Sequence, residues 1–176
     1  MNYHNILHDD MRNGDGLRVV LFVSGCDHRC KNCQNPQTWV QDSGILFDET
    51  AKREIFEQLS KNYIAGITFS GGDPLNDANV FDVYKLCQEI KETFPTKTVW
   101  IYTGYTLEEI FPKMVASDPD PKKEYRANTV LLADVLVDGR FVEECADINY
   151  EWAGSTNQRV IDMPKTIEIK KIVLHS

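Results

Sequence analysis

The sequence has no long apolar run and no excess of basic residues, and both absences restrict its function. No segment approaches the roughly 20 consecutive apolar residues that cross a bilayer, and residues 1–16 are polar and acidic, unlike a signal peptide. Lysine and arginine number 19 against 27 aspartates and glutamates, a net charge of −8 that disfavours binding to a nucleic-acid backbone. We therefore expect a cytoplasmic protein that binds neither a membrane nor a nucleic acid.

Cysteine is scarce outside one short segment. Of the five cysteines, Cys26, Cys30 and Cys33 lie close together and the other two are isolated. An odd number cannot pair completely within one chain, and a reducing compartment disfavours disulfides. Cys87 falls on the apolar side of a predicted helix, which is typical of a small core residue, and Cys145 has no neighbour at ligand spacing. The chemistry is therefore expected at the clustered cysteines.

The length of 176 residues suits a single domain, and we expect residues 1–176 to form it. A chain of this size buries about 70% of its unfolded surface, so it needs neither disulfides nor a metal merely to fold. The hydrophobic fraction of 42% is ordinary for a globular protein. Composition therefore predicts a folded domain and leaves the function to the motifs.

Strands and helices alternate along the chain, which predicts an α/β fold with a mainly parallel sheet covered by helices. Strands are predicted from apolar, β-branched runs at residues 17–23, 64–69, 97–102 and 134–137. Helices are predicted at residues 49–62, with Asp48 as N-cap, at 77–94, and from Thr106, where Glu109 completes a capping box. Loops are predicted at 27–47 and 117–124, and a short terminal strand at 166–174.

A turn rich in glycine, aspartate or cysteine follows each of the four predicted strands. Ligands of parallel sheets bind beyond the carboxyl ends of the strands, so we expect these turns to converge on one site. The simpler alternative is that these residues only make turns. The turns are residues 26–33, Gly71–Pro74, Thr103-Gly104 and Asp138–Phe141.

The spacing Cys26-x3-Cys30-x2-Cys33 favours a metal centre with an open position. Thiolates are soft ligands for zinc or iron–sulfur clusters. A structural zinc site needs four ligands, usually in two pairs, and a cubane cluster normally takes four cysteines. His28 lies inside the tight loop and would strain to reach the same metal. A reactive cluster is favoured, a zinc site is the alternative, and three unliganded thiols are disfavoured in so polar a loop.

These motifs together resemble a known family. Three cysteines at this spacing after one strand, and Ser70-Gly71-Gly72-Asp73-Pro74 after the next, are typical of radical S-adenosylmethionine enzymes. Further motifs between Asn13 and Asp162 narrow the resemblance to the activating proteins of anaerobic (class III) ribonucleotide reductases, which are glycyl-radical activases. These motifs are Asn13–Gly16, Phe22–Cys26, Asn35-Pro36, Thr38-Trp39, Tyr102–Tyr105, Val135–Phe141 and Gly154–Gln158.

The resemblance implies a cofactor pair and a protein substrate. Cys26, Cys30 and Cys33 would bind a [4Fe-4S] cluster whose fourth iron is chelated by S-adenosylmethionine. Reductive cleavage gives a 5′-deoxyadenosyl radical, which abstracts hydrogen from a glycine of the anaerobic ribonucleoside-triphosphate reductase. A low-potential donor such as flavodoxin or ferredoxin would supply the electron. The implied fold is a partial, open (β/α) barrel with its helices outside, and the chain length suggests six strands at most.

The resemblance also implies roles for single residues. Gly71 and Gly72 would allow close backbone approach, and Asp73 would accept the ammonium group of the methionine moiety. Thr103 and Asp138 match positions near the ribose and a bound monovalent cation.

Other positions depart from the wider superfamily or have open roles. The segment Asn32-Cys33-Gln34 would reach adenine through backbone atoms of Asn32 or Gln34, where many relatives have an aromatic residue before the third cysteine. Arg140 stands in place of a lysine and would contact a carboxylate or the partner. Residues 154–159 are expected to close the site or face the partner.

Two alternatives remain open from the residues. A zinc module that recognises a protein would be colourless, with one zinc and no iron. Another small radical enzyme, acting on a metabolite, would share the cluster but leave no glycyl radical on a reductase.

Overall fold

The computed structural model describes residues 1–112 and 120–176, and a mixed sheet forms the centre of this part of the chain. Seven strands pair in the order β3-β1-β2-β4-β5-β6-β7 once they are numbered along the chain. Their bounds are β1 Asn2–Asp10, β2 Leu17–Val23, β3 Ile45–Leu46, β4 Ile64–Gly71, β5 Thr98–Tyr102, β6 Val135–Asp138 and β7 Arg159–Asp162.

Five α-helices accompany these strands within the described residues. They are α1 Glu49–Leu59, α2 Val80–Thr93, α3 Leu107–Ile110, α4 Pro121–Leu132 and α5 Met163–Ile169. Asp48 caps α1 through the backbone N–H groups of Thr50 and Ala51, and Thr106 and Glu109 form the predicted capping box at α3. In the described part of the chain, no helix combines the length and apolar character needed to cross a bilayer.

The centre of the sheet is parallel and its margins are antiparallel. Strands β2, β4, β5 and β6 run in one direction, whereas β1, β3 and β7 pair antiparallel to their neighbours. The α/β class is confirmed, but the expectations of a mainly parallel sheet and of at most six strands were wrong. Both errors come from strands at the margins of the sheet: β1 folds back on β2 from a polar N-terminal segment without a strand-like apolar pattern, and the short β3 and β7 add further antiparallel pairs.

Two further sequence predictions were wrong. Residues 121–124 of the predicted loop 117–124 begin α4, because Pro121 occupies the first helical turn, where its missing N–H costs nothing, and Asp120 caps the helix. Residues 117–119 lie outside the described residues. Residues 166–169 of the predicted terminal strand 166–174 belong to α5, whose N-cap is Asp162 and whose first turn contains Pro164. The expectation of one domain over residues 1–176 stays a prediction.

Alternation along the strands separates two apolar layers. Val19, Leu21 and Val23 of β2 pack with α1, α2 and α4 in one large core. Trp100, in the middle of β5, belongs instead to a smaller cluster on the opposite face, where Trp152 packs edge-on against it. The helices thus cover one face of the sheet, and the carboxyl ends of the parallel strands carry the turns of interest.

The Arg18 side chain links three parallel strands: it lies near the amino ends of β2 and β5 and reaches the middle of β4. Its guanidinium is fully buried and donates to acceptors on β4 and β5 and to the loop before β2. These acceptors are the Thr68 hydroxyl, the Ile67 carbonyl, the Thr98 hydroxyl and carbonyl, and the Asp15 carbonyl. Burial without a contacting carboxylate lowers the pKa of Arg18 to about 10.

Candidate functional site

Hydrogen bonds bring the four strand-end turns together. Thr103 N–H donates to the Val137 carbonyl, and Gly139 N–H donates to the Tyr105 carbonyl, which joins the turns after β5 and β6. Gly72 N–H donates to the last carbonyl of β2, so the turn after β4 lies against the loop that follows β2. The topology therefore assembles the candidate site from segments that are distant in sequence, as expected for the carboxyl ends of parallel strands.

The loop after β2 carries the three cysteines and is called here the cysteine loop (residues 24–35). Its leading half (residues 24–28) packs against the turn after β4. A side chain at Gly72 would lie 2.6 Å from the Gly25 carbonyl oxygen, and Gly71 has a φ of +96°, in the left-handed region. Asp73 N–H then donates to the Gly25 carbonyl at 2.8 Å. The two glycines thus permit close approach to this loop.

Asp73, in the turn after β4, is the carboxylate to which the leading half is attached. It is 1% exposed, and its carboxylate accepts from Leu75 N–H at 2.8 Å and from Gly104 N–H at 2.9 Å. The Thr103 hydroxyl donates to it at 2.9 Å, and His28 Nε2 lies 2.8 Å from Oδ2. Hydrogen bonds to a charged acceptor contribute about 1.5–3 kcal/mol each. The carboxylate therefore orders three segments through contacts with protein donors.

Two asparagines add further links between the same segments, one buried and one partly exposed. Asn79 is fully buried, and its Nδ2 donates to the Ser24 carbonyl at 2.7 Å and to the Asp73 carbonyl at 2.9 Å. Asn76 donates to Asp27 in the cysteine loop at 2.8 Å. The leading half is consequently held by short bonds that are largely protected from water.

The three clustered thiols are free and half-buried. Burial raises the pKa of Cys26 to about 11, with a further contribution from the nearby Asp73 carboxylate. Burial also raises the pKa of Cys30, whereas a hydrogen bond from the Phe141 backbone lowers it. Asn35 N–H donates to Cys33 Sγ at 3.4 Å. Backbone donors of this kind stabilise sulfur that has become anionic on metal binding.

The trailing half of the cysteine loop (residues 29–35) is held mainly by exposed, charged contacts. Lys31 Nζ lies 2.7 Å from Glu143, and the Asn32 side chain donates to the same carboxylate. Asn32 has a φ of +54°, a conformation in which asparagine is enriched and bulky residues are rare. This backbone conformation accounts for asparagine rather than a bulky residue at position 32.

The segment after β6 is anchored by the turn at residues 154–158. Gln158 Nε2 donates to the Gly139 carbonyl at 2.9 Å, and Asn157 Nδ2 donates to the Arg140 carbonyl at 2.8 Å. The exposed Gln34 amide lies beside Gly154, and a side-chain carbon at position 154 would come within 3.2 Å of it. The turn therefore supports the segment that contacts Cys30, whereas its role in closing the site or facing the partner stays a prediction.

Asp138 is engaged in a buried ion pair. It is 1% exposed, Arg159 Nε donates to it at 2.9 Å, and Leu107 N–H donates at 2.7 Å. The same guanidinium reaches the exposed Glu108 and lowers the pKa of that carboxyl to about 2, chiefly through the hydrogen bond. Asp138 thereby fixes the start of α3 against β7.

Arg140 has a more exposed setting. Its guanidinium lies 3.1 Å from Glu109 of the α3 capping box, and both side chains are largely exposed. Arg140 does contact a carboxylate, as one of its two expected roles required, and this carboxylate belongs to the same chain.

The three thiols of the cysteine loop are compatible with an iron–sulfur cluster. Within residues 1–112 and 120–176, no three His, Cys, Asp or Glu side chains converge as ligands of one metal ion would. The ligands of a cubane cluster need not converge on one atom, because each thiolate binds a different iron. Three free, half-buried thiols on one loop, with backbone donors to sulfur, are suitable ligands for such a cluster.

Two cavities lie away from the cysteine loop. One, of about 540 Å³, is bounded by α3, α4 and α5 and is lined by apolar residues such as Phe111, Leu131 and Ile167. The other, of about 400 Å³, lies at the amino ends of the strands beside Trp100 and His175. Neither lining includes a residue of the cysteine loop.

Sequence reasoning missed the contacts that three side chains make in this site. His28 was considered only as a metal ligand, although its bond to Asp73 joins residues 45 positions apart. Glu143 and Arg159 also act over long separations, on Asn32 and Asp138. The one local signal was glycine at position 104, next to the His28 ring.

Comparison with known proteins places this geometry in context. The model of the family described as "4Fe-4S single cluster domain" matches residues 12–161. A protein of Haemophilus influenzae is 40% identical over 160 residues, covering 90% of this chain and 96% of the relative. A protein of Escherichia coli K12 is 41% identical over 162 residues, covering 91% and 97%. One of Enterobacteria phage T4 is 38% identical over 160 residues, covering 91% and 93%. Each of the three is an anaerobic ribonucleoside-triphosphate reductase-activating protein.

Proposed function

The chain belongs to the family of anaerobic ribonucleoside-triphosphate reductase-activating proteins, and from this premise we propose that it generates a glycyl radical on such a reductase. When bound, a [4Fe-4S] cluster with S-adenosylmethionine supplies reductive cleavage of the sulfonium to methionine and a 5′-deoxyadenosyl radical, which takes hydrogen from the glycine. The protein would then be a radical S-adenosylmethionine oxidoreductase that draws electrons from a low-potential donor such as flavodoxin or ferredoxin.

The observation that carries this proposal is a single loop with three free thiols and no fourth cysteine among its residues. We assign Cys26, Cys30 and Cys33 as the cluster ligands. A three-thiolate site leaves one iron for a further ligand, as catalytic metal sites keep one position open. Backbone N–H groups directed at sulfur would stabilise the bound, anionic thiolates.

The turns around the loop would hold the methionine end of S-adenosylmethionine. Asp73 is saturated by protein donors, so its proposed part is to orient Thr103 and Gly104 and to supply negative charge near the ammonium. Gly71 and Gly72 would keep the backbone of this turn close to the iron ligands. Asp138 enters as the residue that fixes the start of α3 beside the turn after β5.

The adenine end is assigned to the trailing half of the loop. Asn32 and Gln34 are exposed, and the Asn32 side chain is already engaged with Glu143, so backbone atoms of Asn32-Cys33-Gln34 remain the proposed contact. We also propose that the sheet is the partial, open barrel of the radical S-adenosylmethionine type. Its four parallel strands with convergent carboxyl ends support this assignment, and its unjoined margins β3 and β7 leave a side for a partner's loop.

The test is metal analysis after anaerobic reconstitution. Wild type should hold about four irons with matching sulfide, and Cys30→Ala should hold much less. Cys145→Ala is the matched control, because Cys145 is also a half-buried free thiol but lies outside the loop. Equal iron in wild type and Cys30→Ala, or one zinc without iron, would overturn the proposal.

A second measurement addresses the reaction. Reduced, reconstituted protein mixed with the reductase and S-adenosylmethionine should give a glycyl-radical signal in electron paramagnetic resonance. Cleavage of S-adenosylmethionine without that signal on any candidate reductase would instead favour an enzyme that acts on a metabolite.

A further inference from the structure

The cysteine loop and the turn after β5 are joined through one imidazole. Resting on the proposed function, we infer that His28 is a positioning residue for the methionine end of S-adenosylmethionine. It holds the Cys26–Cys30 segment in a fixed place relative to Asp73, Thr103 and Gly104. Its hydrogen bond, its packing and its place between two assigned iron ligands support this role.

The hydrogen bond defines which ring nitrogen is engaged. His28 Nε2 lies 2.8 Å from Asp73 Oδ2. An ionised carboxylate only accepts, so Nε2 carries the proton and donates. The other donors to this carboxylate come from Leu75, Thr103 and Gly104, in the turns after β4 and β5. His28 is thus the donor that links the cysteine loop to the Asp73 carboxylate.

Packing restricts the ring on two sides. The imidazole meets Tyr105 edge-on, with ring centroids 4.7 Å apart and planes at 77°. On the other side, a side-chain carbon at Gly104 would collide with the ring atoms of His28. Gly104 is not among the residues with positive φ, so its backbone is compatible with alanine. Glycine at position 104 therefore makes room for the imidazole.

Because of its place in the chain, His28 restrains the position of two assigned iron ligands. The residue stands two positions after Cys26 and two before Cys30, whereas Asp73 belongs to the turn assigned to the ammonium group. A ligand that bridges the iron and that turn depends on the separation of the two segments. Freeing the loop from the turn should therefore weaken S-adenosylmethionine binding while leaving iron binding by the thiols intact.

The first experiment compares two amide substitutions of different reach. In His28→Gln the side-chain nitrogen extends about as far as Nε2, whereas in His28→Asn it falls short. The dissociation constant of S-adenosylmethionine is read from the change it causes in the electron paramagnetic resonance spectrum of the reduced cluster. We expect about tenfold or greater weakening in His28→Asn and less than about threefold in His28→Gln, at equal iron content.

The second experiment uses the contact with Gly104. Gly104→Ala should displace the imidazole and weaken binding to the level of His28→Ala. In the His28→Ala background the added methyl group meets no ring, so the double variant should bind like His28→Ala alone. The urea midpoint of the metal-free proteins should show the same non-additivity, which gives a readout independent of the cofactors.

The outcomes separate this inference from the function on which it rests. Wild type without iron, or with iron but without affinity for S-adenosylmethionine, would overturn the proposed function. Wild-type affinity in His28→Asn would overturn the inference alone. So would additive losses in the double variant, or iron loss in both amide variants, because each would mean a general structural role for the residue.

Discussion

The two halves of the cysteine loop are held by different kinds of contact. The leading half is bound to the turn after β4 through buried groups, with Asp73 at 1% exposure and Asn79 at 0%. The trailing half is bound to the segment after β6 largely through Lys31, Asn32 and Glu143, where the lysine side chain is 75% exposed. One loop therefore combines a water-protected attachment with a solvated one.

The difference follows from the cost of leaving a polar group unpaired. A buried acceptor that loses its donor costs about 1–3 kcal/mol, whereas an exposed ion pair contributes little because water and salt replace it. The leading half is thus preformed before any ligand binds. The trailing half can adjust at low cost, which suits the side of the loop assigned to adenine.

The largest effect is expected at Asp73. In Asp73→Asn one carboxyl oxygen becomes an NH2 group that faces donors, so the free energy of unfolding of the metal-free protein should fall by about 3 kcal/mol. Urea denaturation measures this loss. The control is Asp27→Asn, an exposed aspartate of the same half with one asparagine partner. Equal losses in the two variants would contradict the contrast between buried and exposed attachment.

A smaller loss is expected at Asn79. Asn79→Ala leaves the carbonyls of Ser24 and Asp73 without this donor, which should cost about 2 kcal/mol in the same assay. Asn149→Ala, at an exposed position, serves as the control. A variant at position 79 as stable as this control would mean that the buried link contributes nothing to the leading half.

The trailing half should respond weakly and in a salt-dependent manner. Glu143→Gln should lower the urea midpoint slightly at low ionic strength, and the difference from wild type should vanish in about 0.5 M NaCl. Glu144→Gln removes a neighbouring exposed carboxylate and controls for net charge. If the effect of Glu143→Gln persists at high salt and matches that of Asp73→Asn, the two halves do not differ.

The smallest effect concerns Glu108, the exposed partner of Arg159. Its pKa is lowered to about 2 from an ordinary value near 4.5. A lowered pKa in the folded state means stability present above pH ~4.5 and lost as the pH falls toward about 2. The difference in urea midpoint between wild type and Glu108→Gln should therefore be greatest near neutral pH and shrink below pH ~4.5. Because Glu108 is exposed, the maximum should be well under 1 kcal/mol, and a difference that grows in acid would contradict the assignment.

Local sequence patterns were sufficient for the elements that define the site. The apolar runs of β2 and β4 and the capping residues Asp48 and Thr106 act within a few positions, so they can be recognised in one sequence. Pro121 was misinterpreted because proline is common both in loops and in the first turn of a helix, and the surrounding charged residues did not distinguish the two settings. The β1 strand depends on pairing with β2 and has little signal of its own.

The side-chain network could not be predicted in the same way. Cysteine spacing is local and pointed to the cluster ligands, which remain a prediction. The bond between His28 and Asp73 and the ion pair of Arg159 with Asp138 depend on how strands align, and no alignment of strands can be read from spacing alone. Asp73 was expected to accept an ammonium group, which stays a prediction, and the backbone donors that the fold directs at it from two turns could not be foreseen from the sequence.

Arg18 gives the candidate site a mechanical property. Arg18 links β2, β4 and β5 through hydrogen bonds. The carboxyl ends of these same strands carry the cysteine loop, Asp73 and Thr103. Lengthwise movement of one strand past its neighbours would break several hydrogen bonds of the guanidinium at once. These hydrogen bonds therefore oppose lengthwise movement of the strands. They thus help to fix the positions of the three turns relative to one another, although the turns lie some five residues away along each strand.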